Sequence, residues 1–459
     1  MATVRPLPRA VPRPGQWMVP IHGRKCAPRA AATTVESGAP PVVRPGPAQL
    51  PVEGSRLARS WSNLEFLVVK VTRRCNLSCS YCYEDIGSGS DMTLDTFMRM
   101  ADAAFDSTDR DRVGFLFHGG EPTLLDVGWY RAAMDYADGV ARGAGKTAEY
   151  TIQSNLVRLD QPFLDLFLER GVSIGVSMDG PPEMNDDSRG AGSAVVRNFM
   201  RAKSAGLQVS VLATINHSNW NRMPEVIHWL RTDLGERRFK ANVAYPVGAG
   251  LDAQPLTGEQ IFKARKDILD HMLETGGNGV IEANLERELI KFADKRGCGK
   301  SLCDGQLCGA GSRVLGVTPE GNLLPCGRFE WNDRAWSLGN IGQTDEDAFR
   351  SRGEQLRRFW GASDYNWADC GTCRARHMCS YSCQAFVVRS KRQLNIECAP
   401  TLSLYDYLVE QPQGRVEALV ATLKLHSAMG TAEYRDGGSS YNDYGYNDKG
   451  YNDAGYTDR

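Results

Sequence analysis

Three things are missing from this 459-residue sequence. It has no charge bias: 54 Lys and Arg stand against 55 Asp and Glu, a net charge of −1, so nothing pulls the whole chain toward nucleic acid or an anionic membrane. It has no apolar run near the roughly 20 residues needed to cross a bilayer. Nor does any segment join a basic start, an apolar stretch and a small-residue cleavage site. A soluble cytoplasmic protein with no membrane or nucleic-acid partner is expected. What the sequence has in excess is cysteine: 13 residues, an odd number in a chain without secretory features, and better read as metal ligands than as a disulfide framework.

Residues 1–60 are rich in Pro, Arg and Ala and lack any helix or strand period; they read as a disordered basic arm. Its Cys26 reads as a lone thiol. From residue 64, short apolar runs alternate with amphipathic segments. The runs are EFLVVKVT (65–72), VGFLFHGG (113–120), EYTIQSN (149–155), VSIGVSMDG (172–180), QVSVLATIN (208–216) and FKANVAY (239–245). Helical patterns lie between them near 93–106, 127–142, 160–170, 193–205 and 220–234. This alternation predicts an α/β fold of parallel strands with crossover helices, an open sheet or a barrel, with ligands at the C-terminal strand ends. Residues 298–400 are loop-rich and hold nine cysteines, a region expected to need metal to fold. A helical segment over 401–427, broken near Pro412 and Gly414, leads to a polar tail, 428–459.

Directly after the first strand, CNLSCSYCY spaces Cys75, Cys79 and Cys82 as C-x3-C-x2-C. Three thiolates on one loop can hold three irons of a 4Fe-4S cluster and leave the fourth open; a zinc knuckle would want a fourth Cys or His nearby, and none is close. Here the sequence resembles the radical SAM superfamily, including the aromatic Tyr81 before the last cysteine. The resemblance implies a partial (β/α)6 TIM-like barrel over 61–297 that binds S-adenosylmethionine (SAM) at the open iron. It implies further that Gly119, Gly120 and Glu121 of GGEP contact the methionine amino group, with Ser154 and Asn155 as polar SAM contacts at the end of the third strand. SMDGP, starting at Ser177 and followed by Asn185, Asp186 and Arg189, is similar to the SxDGPxxxHDxxR stretch, with Asn where that stretch carries His. Arg189 can pair with the SAM carboxylate or form a surface salt bridge; Ser154, Asn155 and Ser177 suit turn or capping roles equally.

The later cysteines run Cys303, Cys308, Cys326, Cys370, Cys373, Cys379, Cys383 and Cys398. From Cys308 onward their spacing fits the seven-cysteine SPASM pattern of peptide-modifying radical SAM enzymes. That resemblance implies two auxiliary 4Fe-4S clusters in 298–400: one on Cys308, Cys326 and Cys383, with Cys303 as fourth ligand, the other on Cys370, Cys373, Cys379 and Cys398. Structural zinc is the alternative for four-thiolate sites. Cys298 reads as a spare thiol. Expected partners are a peptide or protein substrate and a reductant such as flavodoxin or ferredoxin.

The tail repeats one unit: Tyr434 with Asp436, Tyr441 with Asp443, Tyr446 with Asp448, Tyr451 with Asp453, and Tyr456 with Asp458, the middle residue being Arg, Asn, Asn, Asn and Thr in turn. In an extended chain residues i and i+2 share a face, so each Tyr ring can lie beside the Asp β-carbon while the middle residue points away. The units resemble the cores on which radical SAM/SPASM enzymes build three-residue cyclophanes, an aromatic carbon joined to the β-carbon two positions on. Oxidative Tyr-to-Asp crosslinking of the chain's own tail is therefore expected; a Tyr-oxygen ether would lose the same mass. A flexible tether of about 30 residues after Cys398 would reach roughly 30 Å, enough for the tail to enter its own barrel. The alternative is a maturase of a separate protein, such as a sulfatase whose Cys or Ser becomes formylglycine, with the tail a passive appendage. No catalytic base stands out; Asp304 and Asp369 merely flank cysteines.

Overall fold

The computed structural model describes residues 61–84, 86–87, 89–250, 255–295, 308–330, 333–343, 346–361, 370, 372–379, 383–390 and 395–429. The basic arm, Cys298, Cys303, Asp304 and Asp369 lie outside them. So does every expected crosslinking residue of the tail: Tyr434, Tyr441, Tyr446, Tyr451 and Tyr456, and their partners Asp436, Asp443, Asp448, Asp453 and Asp458.

Strands and helices alternate through the first half: β1 (Phe66–Thr72), α1 (Leu94–Ser107), β2 (Arg112–Gly119), α2 (Val127–Gly143), β3 (Thr147–Ser154), α3 (Gln161–Arg170), β4 (Ser173–Ser177), α4 (Pro182–Ser188), α5 (Gly192–Ser204), β5 (Val209–Ile215), α6 (Met223–Thr232) and β6 (Arg238–Val243). The expected runs all become strands. The short α4, directly after SMDGP, carries no readable period because it is seven residues long.

Helix ends follow from local chemistry. Thr93 accepts the Thr96 amide at the start of α1, Asp126 and Asp160 do the same for α2 and α3, and Gly171 closes α3 in the left-handed conformation. The helices bury the outward side chains of the strands. Leu67, Val69, Phe115, Phe117, Ile152 and Val176 join Phe97, Tyr130, Phe163 and Phe167 in one fully enclosed core.

After β6 come α7 (Gly258–Glu274), β7 (Ile281–Glu282), α8 (Ala283–Asp294), β8 (Val314–Val317), β9 (Leu323–Leu324), α9 (Glu346–Gly361), α10 (Gln384–Arg389), α11 (Cys398–Val409) and α12 (Arg415–Met429). The sheet order is β7-β6-β5-β4-β3-β2-β1-β8-β9, parallel throughout except for the antiparallel β8/β9 pair. The sheet therefore runs on past the six-strand unit into the region read as loop-rich: β8 pairs with β1, Phe66 opposite Val314 and Val69 opposite Val317. Four- and two-residue strands carry too little alternation to read from sequence. A second apolar cluster fills the inner side of this junction, with Phe66, Val68 and Leu116 packed on Val314, Leu324, Cys326, Phe329 and Phe359. Among the described residues no helix is long and apolar enough to cross a membrane.

Candidate active site

Strand register tells which side chains face inward. Lys70 lies opposite His118, Gln153 opposite Gly175, Ser177 opposite Leu212, and Thr214 opposite Asn242. The outward row is buried under helices, whereas His118, Ser177, Thr214 and Asn242 are only half-buried. The inner face is thus polar toward the C-terminal strand ends, where ligands sit in folds of this type.

The Cys75–Cys82 loop leaves β1 at that end and is held by backbone bonds on several sides. The Gly120 and Glu121 amides donate to the Thr72 and Arg74 carbonyls at 2.8 and 2.7 Å, the Ser80 amide to Ser188 at 3.2 Å, and the Ala249 amide to the Cys82 carbonyl at 2.8 Å. Only glycine permits the first of these approaches: a Cβ on Gly119 would stand 2.3 Å from the Thr72 oxygen, and one on Gly120 2.1 Å from the Arg74 oxygen. The sulfurs have donors of their own, Leu77 N at 3.5 Å and Asn155 Nδ2 at 3.9 Å from Cys75 Sγ. Burial pushes all three thiols up, Cys82 to about 12; for Cys79 the neighbouring Arg189 cation works the other way. Three thiols on a braced loop, one sulfur already facing N–H donors, are a donor set that fits an iron-sulfur cluster with one open iron. Among the described residues no group of three or more Cys, His, Asp or Glu is arranged to hold a single metal ion.

Two hubs organise the rest. The first is Glu121, 1% exposed. Its Oε1 accepts from the Thr123 amide and hydroxyl and from Ser154 Oγ (3.0, 2.6 and 2.7 Å), and its Oε2 from the Asn155 amide (2.8 Å). Asn155 in turn donates to Asn76 of the cysteine loop at 2.8 Å. Burial pushes Glu121 above the usual carboxylate range, against these hydrogen bonds. Gly119, Gly120, Glu121, Ser154 and Asn155 are thereby one network around the cysteine loop. Ser177 sits apart from it, accepting from Gln153 Nε2 at 2.8 Å.

The second hub is Asp179, which has no exposed surface. Its carboxylate accepts from the Tyr81 hydroxyl, Ser188 Oγ (2.7 Å), Asn216 Nδ2 (3.0 Å) and the Thr214 amide (2.9 Å), and pairs with Arg189 Nε at 3.0 Å. The Arg189 guanidinium also lies 5.2 Å from the centre of the Tyr81 ring. Burial works against its charge, but Asp179, with Tyr81 and Cys79, outweighs burial and raises it above its ordinary value. Arg189 is therefore in an internal ion pair and not in a surface salt bridge. Asp179 itself was a missed residue; its place in SMDGP was the available signal.

A third group was also missed. Lys70 Nζ contacts Glu330 Oε1, and lies 2.9 Å from Glu84 Oε2 and 2.6 Å from the Phe329 carbonyl. Burial opposes the charge of Lys70, but Glu330 and Glu84 raise it above its ordinary value. Burial and the charge of Glu84 push Glu330 up to about 8, against the pull of Lys70. His118 borders this group: Gly119 N–H donates to its Nδ1 (2.8 Å), Glu84 Oε1 lies 3.1 Å from the same nitrogen, and Nε2 lies 3.3 Å from the Tyr83 hydroxyl. Burial, then Lys70 and Arg328, lower His118 to about 3.

In the second cysteine region, Cys326 is buried in the inner apolar cluster, and Cys308 and Cys383 pack against that same cluster. Cys370, Cys373 and Cys379 are half-buried on neighbouring short turns, and Cys398 is exposed at the start of α11.

Residues 69–230 match the model of the radical SAM superfamily. The serine-type anaerobic sulfatase-maturating enzyme of Bacteroides thetaiotaomicron is 30% identical over 172 residues, 34% of this chain and 40% of that one. The enzyme of the same name from Klebsiella aerogenes is 23% identical over 342 residues, 71% of this chain and 81% of that one. In fold, the chain is similar to the solved structure of native anSMEcpe with bound AdoMet, with a TM-score of 0.66 at 20% identity, covering 78% of this chain and 99% of that one. Residues 69–230 are thus a radical SAM domain, and the chain as a whole is similar in sequence to anaerobic sulfatase-maturating enzymes and in fold to a solved structure with bound AdoMet.

Proposed function

We propose that this enzyme oxidatively crosslinks Tyr to Asp within Tyr-Xaa-Asp units of its own C-terminal tail. The observation that carries this is the repeat itself: five copies with fixed first and third residues and a varied middle one, the pattern a bond between i and i+2 requires. The bonds would join Tyr434 to Asp436, Tyr441 to Asp443, Tyr446 to Asp448, Tyr451 to Asp453 and Tyr456 to Asp458. Cys75, Cys79 and Cys82 would hold the SAM cluster, and Gly119, Gly120, Glu121, Ser154, Asn155, Ser177 and Arg189 would border SAM. Cys308, Cys326 and Cys383 with Cys303, and Cys370, Cys373, Cys379 and Cys398, would hold two auxiliary clusters; the shared apolar cluster beside Cys308, Cys326 and Cys383 supports the first grouping. When bound, these groups supply one-electron cleavage of SAM to a hydrogen-abstracting radical and a sink for the returned electron.

The chain's own contribution is placement. Each link joins a Tyr ring carbon to an Asp β-carbon and removes two hydrogens: the β-hydrogen leaves as an atom, the ring hydrogen as a proton and an electron. Glu121 uses three acceptor contacts at Oε1 and one at Oε2 within the protein, which makes it chiefly a positioning residue for the strand ends.

The helical segment expected over 401–427, broken near Pro412 and Gly414, is present as Cys398–Val409 and Arg415–Met429, so the roughly 30 residues after Cys398 are not available as a flexible tether. A flexible reach would be counted from Met429. For a coil of 5 to 6 Å × √n, Tyr434, five residues on, reaches about 12 Å and Tyr456, 27 residues on, about 30 Å; the distal copies are the better substrates.

The test is the mass and fragmentation of the tail after anaerobic reconstitution and incubation with SAM and reductant. Loss of two hydrogens per unit, confined within Tyr-Xaa-Asp, is expected, and Asp443→Ala removes the link at that unit alone. A link surviving from Tyr441 would mean a wrong acceptor. An unchanged tail alongside conversion of a sulfatase Cys or Ser to formylglycine would support the second reading, which the names of the related enzymes favour.

A further inference from the structure

The Lys70 group joins three segments far apart in sequence. Lys70 is on the inner face of β1, Glu84 follows Cys82 by two residues, and Glu330 follows Cys326 by four; the closest contacts span 14 and 260 positions. The intervening Tyr83 is held by the same neighbours. Its ring lies 5.4 Å from that of Phe386 and 5.1 Å from the Arg328 guanidinium, and its carbonyl accepts from Arg389 Nη2 at 3.3 Å. The end of the first cysteine loop is therefore fastened to the segments that carry Cys326 and Cys383. Buried charges are a costly way to fasten anything: apolar side chains of equal volume give equal or better stability, and the attested use of a buried ion group is to fix one arrangement among several.

We propose that Lys70 is a positioning residue that registers the first cysteine loop against the second cysteine region, so that the open-iron site is correctly set only when that region is seated. The proposal rests on reading both cysteine sets as cluster ligands. It goes beyond the crosslinking reaction, because the strut would serve any substrate. A cation with two carboxyl partners and a carbonyl fixes the direction of approach as well as the distance, which an apolar contact does not.

The experiment compares full-length wild type with Lys70→Met, Glu330→Gln and the double variant Lys70→Met/Glu330→Leu, all reconstituted anaerobically. It reads iron per chain, hydrogen exchange at the Ser80 and Cys82 amides, and the SAM concentration that half-completes the change in the reduced-cluster spectrum. Lys70→Met is expected to keep its iron, lose about tenfold in amide protection, and need about tenfold more SAM, equivalent to about 1.4 kcal/mol. Glu330→Gln keeps an acceptor for Lys70 and should stay within about twofold of wild type. If Lys70→Met does not fold, the double variant, which removes one of the two carboxyl groups left without their cation, regains part of the stability but not amide protection. Wild-type protection in either Met variant overturns the proposal. A wild-type chain that binds no iron would sink the cluster reading instead, and the amide measurement would still decide the strut.

Discussion

The two cysteine regions are built by different means. The first occupies one eight-residue stretch, Cys75 to Cys82, at the end of a central parallel strand, and it is braced by backbone bonds from Gly120, Glu121, Ser188 and Ala249. The second is spread from Cys308 to Cys398 over short turns and helices, joined to the sheet through β8 and β9. Among the described residues, the first site is set by the strand-helix scaffold, whereas the elements around the second are shorter; on the reading proposed above, the second would depend more on the groups its cysteines hold.

That contrast predicts, first, that replacing Cys75, Cys79 and Cys82 together with Ala abolishes SAM cleavage while the iron of the second region is retained; iron and sulfide analysis checks this, and loss of all iron would break the contrast. Next in size, Asp179→Ala leaves the Arg189 cation buried without its carboxylate and removes the acceptor of Tyr81, Ser188, Thr214 and Asn216. A loss of about 3–5 kcal/mol is expected from the denaturant midpoint, well above the effect of replacing exposed Arg374, whose partner Asp406 lies at the surface.

A smaller effect is expected for Gly120→Ala. The added methyl meets a backbone carbonyl at 2.1 Å, so the loop must shift; a cost of about 1–3 kcal/mol should appear in the midpoint, with weakened SAM binding. The smallest is a pH effect at His118. Its ordinary value of 6.5 falls to about 3 on folding, so between these values the unfolded chain binds a proton that the folded chain refuses. Stability should fall as pH drops below 6.5, by at most about 1.4 kcal/mol per unit from this group. Stability curves of wild type and His118→Gln, compared between pH 7 and 5, should diverge with the wild type the more acid-sensitive; parallel curves would remove His118 as the cause.

The scaffold was legible from sequence because buried parallel strands read as apolar runs and crossover helices as amphipathic periods. The cysteine loop and GGEP were legible because their residues are contiguous. The groups that hold the site together were not. Asp179 meets Tyr81, Thr214 and Asn216 across 98, 35 and 37 positions, and Lys70 meets Glu330 across 260, distances over which a single sequence carries no pairing signal. The β8/β9 hairpin was missed because Val314–Val317 and Leu323–Leu324 are shorter than any readable period. The role proposed for the tail rests on repetition alone, and Tyr434 through Asp458 lie outside the described residues.

The most direct test of the central claim follows the abstracted hydrogen. Protein grown with β-deuterated aspartate, reconstituted and supplied with SAM and reductant, should release singly deuterated 5′-deoxyadenosine in step with loss of mass from the tail. A crosslinked tail accompanied by unlabelled 5′-deoxyadenosine would contradict abstraction at the Asp β-carbon.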